Sequence, residues 1–182
     1  MQKLLHQVEG EWIGHIHPAV FALGTSAGAA RLVTAAPAGN PAIFRNLVES
    51  LEGPYALLYV LHTPRGEGEA GRYQSPVLEL GEVQAFLERY AAFLSADARF
   101  DLWAHSLGAN ATVVWDRHNL IYAYGPLERY AAVLRKLGFQ DGLPSLAFPH
   151  QHVYRAECDR DAADLLEEFD WGYSPLRPED EQ

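Results

Sequence analysis

The sequence predicts an α/β protein, a single layered domain whose helices pack on a mixed β-sheet that contains an antiparallel hairpin. The chain has 182 residues, the size of one ordinary domain. Segments with strand and helix periodicity alternate along it. Residues 111–125 form two β-rich runs around the polar turn 116–119, and a hairpin requires antiparallel neighbours. We assign residues 1–173 to the domain and residues 174–182 to an acidic tail.

Two short strands and a helix are predicted at the start of the chain. Residues 12–17 and 29–35 are the two strand candidates. Asn40 and Pro41 are typical of a helix start, because asparagine caps the first turn and proline fits the first helical position. Apolar residues then recur at helical spacing until Gly53 ends the helix.

The middle of the chain predicts a central strand. Residues 55–63 are nearly all apolar, which is typical of a strand covered on both faces, and we place them at the centre of the sheet. Residues 64–76 are rich in glycine, proline and charge and predict a long exposed loop. Helical spacing of apolar residues predicts a helix over 80–95, and residues 100–106 predict another strand.

After the hairpin, two helices and one strand complete the predicted fold. Pro126 begins a helix that Gly138 ends. Residues 150–156 form the last strand, and Asp159 caps the last helix.

One octet occurs twice in the chain. Residues 87–94 (LERYAAFL) and 127–134 (LERYAAVL) match in seven of eight positions. The match ends at the borders of the octets. We interpret both octets as amphipathic helices that pack their apolar face on a sheet, and we do not interpret the match as a duplication.

The negative charge is concentrated at the C-terminal end. Residues 157–182 carry a net charge of −8 out of −10 for the whole chain. Without a basic stripe the chain has little with which to neutralise phosphates, so we expect no nucleic-acid ligand. The acidic end is interpreted as a solubilising surface. The alternative is a docking surface for a basic protein partner, with Trp171 and Tyr173 as apolar anchors.

Composition predicts a soluble, cytoplasmic protein. No apolar run reaches the ~18 residues of a membrane helix, and the N-terminal residues lack the pattern of a signal peptide. The single cysteine, Cys158, cannot form an internal disulfide and is flanked by two acids, so we expect an inert thiol. Lysine is scarce, with two residues among fourteen basic ones, and alanine is abundant, which suggests a bacterial origin.

The segment FDLWAHSLGAN, residues 100–110, carries the strongest catalytic candidate. A strand that runs into Ala-His-Ser-Leu-Gly, with small residues at Ala104 and Gly108, resembles the nucleophile elbow of the α/β-hydrolases. The resemblance implies that Ser106 is a nucleophile and that the Leu107 N–H is part of an oxyanion hole. The sequence departs from that family after Gly108, where a β-rich hairpin stands in place of a long helix.

The partners of a catalytic serine are less well defined. The family order requires an acid and then a histidine downstream of the serine. Asp116 or Asp141 followed by His150 or His152 satisfies this order. We take Ser106, His150 and Asp116 as the triad under this alternative.

Two His-x-His units are candidates for a metal site. Side chains alternate along a strand, so His15 and His17, and likewise His150 and His152, each share one face. Imidazole suits zinc and related metals. No carboxylate motif accompanies them, and His118 in the predicted turn is expected to be exposed and structural. We therefore predict no tight metal site and no cofactor.

These observations favour a non-catalytic binding module. The alternative is a small serine hydrolase that uses Ser106. The segment after Gly108 discriminates the two, because a helix there favours the hydrolase and a hairpin favours the binding module.

Overall fold

The computed structural model describes residues 2–26 and 28–180, which contain twelve strands and five helices. The strands are β1 (Leu4–Val8), β2 (Glu11–Gly14), β3 (Val20–Ser26), β4 (Ala29–Ala35), β5 (Tyr55–Leu61), β6 (Gly71–Gln74), β7 (Phe100–Ser106), β8 (Ala111–Trp115), β9 (Leu120–Tyr124), β10 (Gln140–Asp141), β11 (His150–His152) and β12 (Gly172–Ser174). The helices are α1 (Pro41–Glu49), α2 (Leu80–Arg89), α3 (Ala91–Ala96), α4 (Leu127–Lys136) and α5 (Asp159–Glu167).

Nine strands form the main sheet, in the order β10-β3-β4-β9-β8-β7-β5-β6-β12. All neighbours are antiparallel except β10 and β3, which are parallel. The sheet is therefore mixed and contains the β8–β9 hairpin, which confirms the predicted fold class. The remaining strands form a small sheet in the order β11-β1-β2.

All five helices pack on one face of the main sheet. In β7 the alternate residues Phe100, Leu102 and Ala104 join the hydrophobic core together with apolar residues from every helix. Asp101 and Trp103 point to the other face because side chains alternate along a strand. None of the five α-helices covers that second face, which carries the candidate site; a 3-10 turn over Pro178–Asp180 borders it.

Several predicted elements are confirmed at residue level. Strands β4 and β7 have the predicted bounds. Helix α1 begins where expected, because the Asn40 side chain accepts a hydrogen bond from the backbone N–H of Ala42 at 3.0 Å. The predicted turn 116–119 closes the hairpin, with the Asp116 carboxylate accepting backbone hydrogen bonds from His118 and Leu120.

Other elements differ from the predictions because tertiary contacts decide them. Residues 64–76 are not only a loop, since β6 lies within them and pairs with both β5 and β12. The helix predicted over 80–95 is divided at Tyr90 into α2 and α3. The strand predicted over 150–156 is three residues long, and the one predicted over 12–17 spans Glu11–Gly14. The middle strand of the main sheet is β8 and not β5.

The C-terminal residues pack on the protein as far as they are described. Ser174 ends β12, and Asp180 is buried with its carboxylate bound to Arg72. The predicted solvated tail over 174–182 is thus held against the main sheet up to residue 180. Residues 181 and 182 lie outside the described residues. The longest helices have ten residues, and none in the described part is long and apolar enough to cross a membrane.

A buried cluster of charges joins the two sheets. Arg99 is fully buried, and its guanidinium donates hydrogen bonds of 2.9 to 3.0 Å to Asp97, Glu67 and Asp159. The Asp97 carboxylate also accepts from the backbone N–H of Arg155, just after β11. The segment before β7 is therefore bonded to the segment that follows the small sheet.

Lys3, beside β1, is also fully buried, but unlike Arg99 it has no carboxylate bonded to it within the described residues. Its ammonium lies 4.4 Å from the Trp115 ring and 4.9 Å from the Phe100 ring, and among the described residues it has no hydrogen-bond partner. Burial lowers the pKa of Lys3 to about 8, and the charges of Asp116, Asp101 and Asp97 only partly oppose that shift.

We predict that Lys3→Met increases the free energy of unfolding by about 1 to 3 kcal/mol near pH 7, because the folded protein no longer buries a cation. The unfolded chain keeps the Lys3 proton up to its ordinary pKa of 10.5, whereas the folded protein releases it near pH 8. Wild-type stability therefore rises relative to the variant between these values. Urea denaturation at about pH 7 and about pH 10 measures the difference, with exposed Lys136→Met as control. An equal effect of Lys3→Met at both pH values would contradict the prediction.

Candidate functional site

The uncovered face of the main sheet holds a cavity of about 530 Å³. Its floor is a row of side chains across three strands, because Trp103 pairs with Val114 and Val114 pairs with Tyr122. Tyr124 and Leu146 extend the apolar lining. The cavity thus has an aromatic and aliphatic floor on three strands. Polar and charged side chains complete its lining, namely Arg31, Asp101, Thr112, Asp116, Arg117, His118, Glu179 and Asp180.

The acidic side chains of the cavity are already bonded within the protein. Asp101 forms a 2.9 Å contact with His62 Nε2 and accepts a hydrogen bond from the backbone N–H of Arg117. Burial would raise the pKa of Asp101, but the hydrogen bonds from His62 and Arg117 lower it, so it stays ionised. Asp116 is engaged by the hairpin turn and Asp180 by Arg72.

Arg31 also lines the cavity, and in the part of the chain that the structure describes it forms no ion pair. Its guanidinium lies 4.6 Å from the Tyr122 ring, and Nη1 donates to the Tyr124 hydroxyl at 3.3 Å. Within the described ranges, no carboxylate lies within the 4.0 Å of an ion pair with Arg31. The cavity therefore contains a half-buried cation that forms no ion pair with a carboxylate of the described residues, although Asp101, Asp116, Glu179 and Asp180 line the same cavity.

Six of the eight histidines gather where the small sheet meets the β8–β9 turn. They are His6, His15, His17, His118, His150 and His152. His118 also lines the cavity, so the histidine cluster borders it. The predicted pair His15 and His17 is bonded internally, with 3.3 Å between His15 Nε2 and His17 Nδ1 and 2.9 Å between His17 Nε2 and the His118 carbonyl.

The other predicted pair meets a third histidine. One ring nitrogen from each of His118, His150 and His152 lies within 4.8 Å of the other two. Nδ1 of His118 is 3.1 Å from Asp116 Oδ2, and Nδ1 of His150 is 3.1 Å from the Phe148 carbonyl. In the part of the chain that is described, the buried Nε2 of His152 has no hydrogen-bond partner.

These imidazoles are in an environment that favours the neutral form. Burial lowers the pKa of His152 to about 4, and the charges of His118 and Arg117 add to this shift. Burial and the neighbouring His17 likewise lower the pKa of His15 to about 4. The sequence prediction that His118 is exposed was wrong, since it is half-buried in the cluster. Asp116, two residues earlier, was the available signal, because a carboxylate at that distance can orient the ring.

The Ser106 side chain lies on the core side of β7, where its hydroxyl is bonded to backbone groups and is not exposed to a substrate. It is fully buried, and its hydroxyl donates to the Glu52 carbonyl and accepts from the Ala109 N–H at 3.0 Å. Residues 107–110 form a turn into β8, without the helix that the hydrolase resemblance implies. Gly108 is required by close approach, because a Cβ there would lie 2.5 Å from the Gly53 carbonyl oxygen.

The proposed triad residues are not brought together. Asp116 follows Trp115, which pairs with Leu102 near the start of β7, and Ser106 is at the end of that strand. Asp101, beside Asp116, is five residues from Ser106, or roughly 17 Å at about 3.4 Å per residue. His150 is in the histidine cluster next to Asp116. Asp141 is exposed in β10 at the far edge of the sheet.

The acidic C-terminal region is partly neutralised. Asp159 bonds to Arg65 and Arg99, and Glu168 to Arg89. Trp171 packs against the core, while Tyr173 is 47% exposed. Docking of a basic partner here stays a prediction, with Tyr173 rather than Trp171 as the exposed aromatic group.

We predict that Ser106→Ala lowers the free energy of unfolding by about 1 to 3 kcal/mol, because the Glu52 carbonyl and the Ala109 N–H lose their shared hydroxyl. Urea denaturation measures this loss, and exposed Ser145→Ala is the control. A fluorophosphonate probe should leave the wild type unlabelled. Stoichiometric labelling that disappears in Ser106→Ala would show that the serine is a nucleophile.

Comparison with known proteins does not identify a family or a function for this chain. No family model, no curated protein and no solved structure matches the chain. The aromatic cavity and the histidine cluster are therefore the two features from which a function can be argued.

Proposed function

We propose that this chain is a non-catalytic binding module whose cavity takes a small aromatic carboxylate. The observation that carries the proposal is the environment of Arg31, a cation on an aromatic cavity floor that has no ion-pair partner in the described part of the chain. A ligand carboxylate would supply that counter-ion, and a flat apolar body would cover the aromatic floor.

The size and lining of the cavity support a small-molecule ligand. Its volume of about 530 Å³ falls within the range of roughly 300 to 1,000 Å³ common for ligand pockets. The floor of Trp103, Val114 and Tyr122 lies on three adjacent strands, which hold these side chains in place. Such a surface offers stacking and apolar burial with little ordering on binding.

The charge pattern supports an anion rather than a cation. Asp101, Asp116 and Asp180 each accept hydrogen bonds from protein groups, and the fourth acid of the lining, Glu179, also has a partner within the protein, so none of these carboxylates is left without a partner for a ligand cation to replace. Arg31 is held in place by two tyrosines, and a guanidinium binds a carboxylate well through two parallel hydrogen bonds.

A bacterial, cytoplasmic setting fits the free, buried Cys158.

The test uses 2-naphthoate as the probe and its neutral amide, 2-naphthamide, as the matched compound. Titration calorimetry should show that 2-naphthoate binds the wild type and binds Arg31→Gln about tenfold or more weakly, because a hydrogen bond to a charged group contributes about 1.5 to 3 kcal/mol. The amide should bind both proteins equally. Arg45→Gln, an exposed arginine of α1 outside the cavity, is the control and should bind as the wild type does.

Equal affinity of 2-naphthoate for the wild type and for Arg31→Gln would contradict the role of Arg31. Absence of binding by both compounds would contradict the aromatic cavity as the ligand site.

A further inference from the structure

We propose that His118, His150 and His152 form a zinc site at the border of the cavity. The three residues come from two separate parts of the chain. His118 is in the β8–β9 turn, and the other two are alternate residues of β11, which places both imidazoles on one face of the small sheet. The fold brings the turn and the strand together, with ring centroids of His118 4.7 Å from His152 and 5.4 Å from His150.

The spacing of the ring nitrogens suits one metal ion after small rotations. One nitrogen of each residue already lies within 4.8 Å of the other two. Two nitrogens on a tetrahedral zinc ion are about 3.4 Å apart, because each Zn–N bond is about 2.1 Å. The proposed site requires that rotation of these half-buried imidazoles bring the nitrogens closer together by the remaining distance.

His118 and His150 make their hydrogen bonds through Nδ1, and this leaves Nε2 of each ring to bind a metal. A metal-bound histidine usually donates its second ring N–H to a carboxylate or a carbonyl. Asp116 Oδ2 and the Phe148 carbonyl hold these positions for His118 and His150. His152 has a buried Nε2 without a partner among the described residues, and such an atom is unfavourable unless something binds it.

Among the described residues, no ring nitrogen of His6, His15 or His17 belongs to the group within 4.8 Å, although His6 has a buried Nδ1 without a hydrogen-bond partner. Both ring nitrogens of His17 are occupied, one by His15 and one by the His118 carbonyl. A metal bound by three protein ligands keeps a fourth position for water or for a ligand group. His118 also lines the cavity, so the metal would border the space in which a small molecule binds.

Imidazole ligands select the class of metal. Three nitrogens without a carboxylate ligand suit zinc and related transition metals, and they do not suit magnesium or calcium, which require oxygen ligands. Zn²⁺ fits this set best, because tetrahedral zinc can be held by three protein ligands and one solvent position.

The test is titration calorimetry with Zn²⁺ on untagged, full-length protein from which metal has been removed. We expect one zinc per chain with micromolar or tighter affinity. Alanine at His118, His150 or His152 should weaken binding about 100-fold or more. The control is His105→Ala, because His105 lies on β7 bonded to Thr112, and it should change the affinity less than about threefold.

Asp116→Asn tests the same site without removing a ligand. It keeps an oxygen for the backbone hydrogen bonds of the turn, loses the acceptor for His118 Nδ1, and should weaken zinc binding about 10- to 100-fold. If an alanine variant does not fold by circular dichroism, Co²⁺ added to the wild type gives an independent readout. Intense visible absorption of four-coordinate cobalt, removed by Zn²⁺, is expected.

Failure to bind zinc at one equivalent, unchanged affinity in a folded His118→Ala variant, or only the weak spectrum of six-coordinate cobalt would overturn the proposal. The inference does not depend on the ligand proposed for the cavity. Arg31→Gln should bind zinc as the wild type does, so failure of one proposal can be distinguished from failure of the other.

Discussion

The buried guanidinium of Arg99 joins three parts of the chain that are distant in sequence, residues 97–99, Glu67 and residues 155–159. It bonds to Asp97 beside it, to Glu67 in the loop between β5 and β6, to Asp159 at the start of α5 and to the carbonyl of Arg155 after β11. Burial of these charges is costly, and the cluster is favourable only when every partner is present. The arrangement therefore favours a single relative position of the loop, the helix and the small sheet.

The position of the small sheet determines the histidine cluster. Asp97 binds the N–H of Arg155, and the N–H of Ala98 donates to the Val153 carbonyl, so the chain that leaves β11 is fixed to the start of β7. Val153 in turn donates to the carbonyl of Lys3 beside β1. His150 and His152 are held next to the β8–β9 turn by these bonds, although no residue of the ion cluster is itself a histidine.

The topology also leaves one face of the main sheet without α-helices. Because the five helices share one face, the polar and aromatic residues of β7, β8 and β9 on the other face remain accessible. The C-terminal segment borders this face through Asp180 and Arg72, and the histidine cluster borders it through His118. The cavity and the histidines are therefore neighbours, and a ligand in the cavity would lie next to whatever the histidines bind.

Local sequence patterns predicted the elements that are determined by interactions between residues close in sequence. The Asn40 cap, strand β7 and the hairpin turn at Asp116 follow from residue types within a few positions of each other. The twin octets show the limit of such patterns, because residues 127–134 lie in one helix whereas residues 87–94 are divided at Tyr90 between α2 and α3. Tyr90 donates to Glu168, which is distant in sequence, whereas Tyr130 donates to the nearby Tyr124 carbonyl, so nearly identical octets have different hydrogen-bond partners.

The candidate site was harder to predict for the same reason. The Ala-His-Ser-Leu-Gly segment resembles a catalytic turn, but Ser106 and Gly108 satisfy contacts with Glu52 and Gly53, which only the folded chain brings near. The pair His150 and His152 was visible as an alternating motif. Arg31 reaches Tyr122 and Tyr124 because β4 pairs with β9. His118 meets His150 and His152 because the fold places the β8–β9 turn next to β11.

Hydrogen exchange measured by mass spectrometry on Asp97→Asn tests most directly whether the ion cluster positions the small sheet. The substitution keeps the size of the side chain but removes one carboxylate oxygen that Arg99 and Arg155 share. We expect faster exchange in residues 2–8 and 150–155, with unchanged protection in β8 and β9, because local opening follows the contacts that are lost. Unchanged exchange at the small sheet, or an equal increase throughout the chain, would contradict the account.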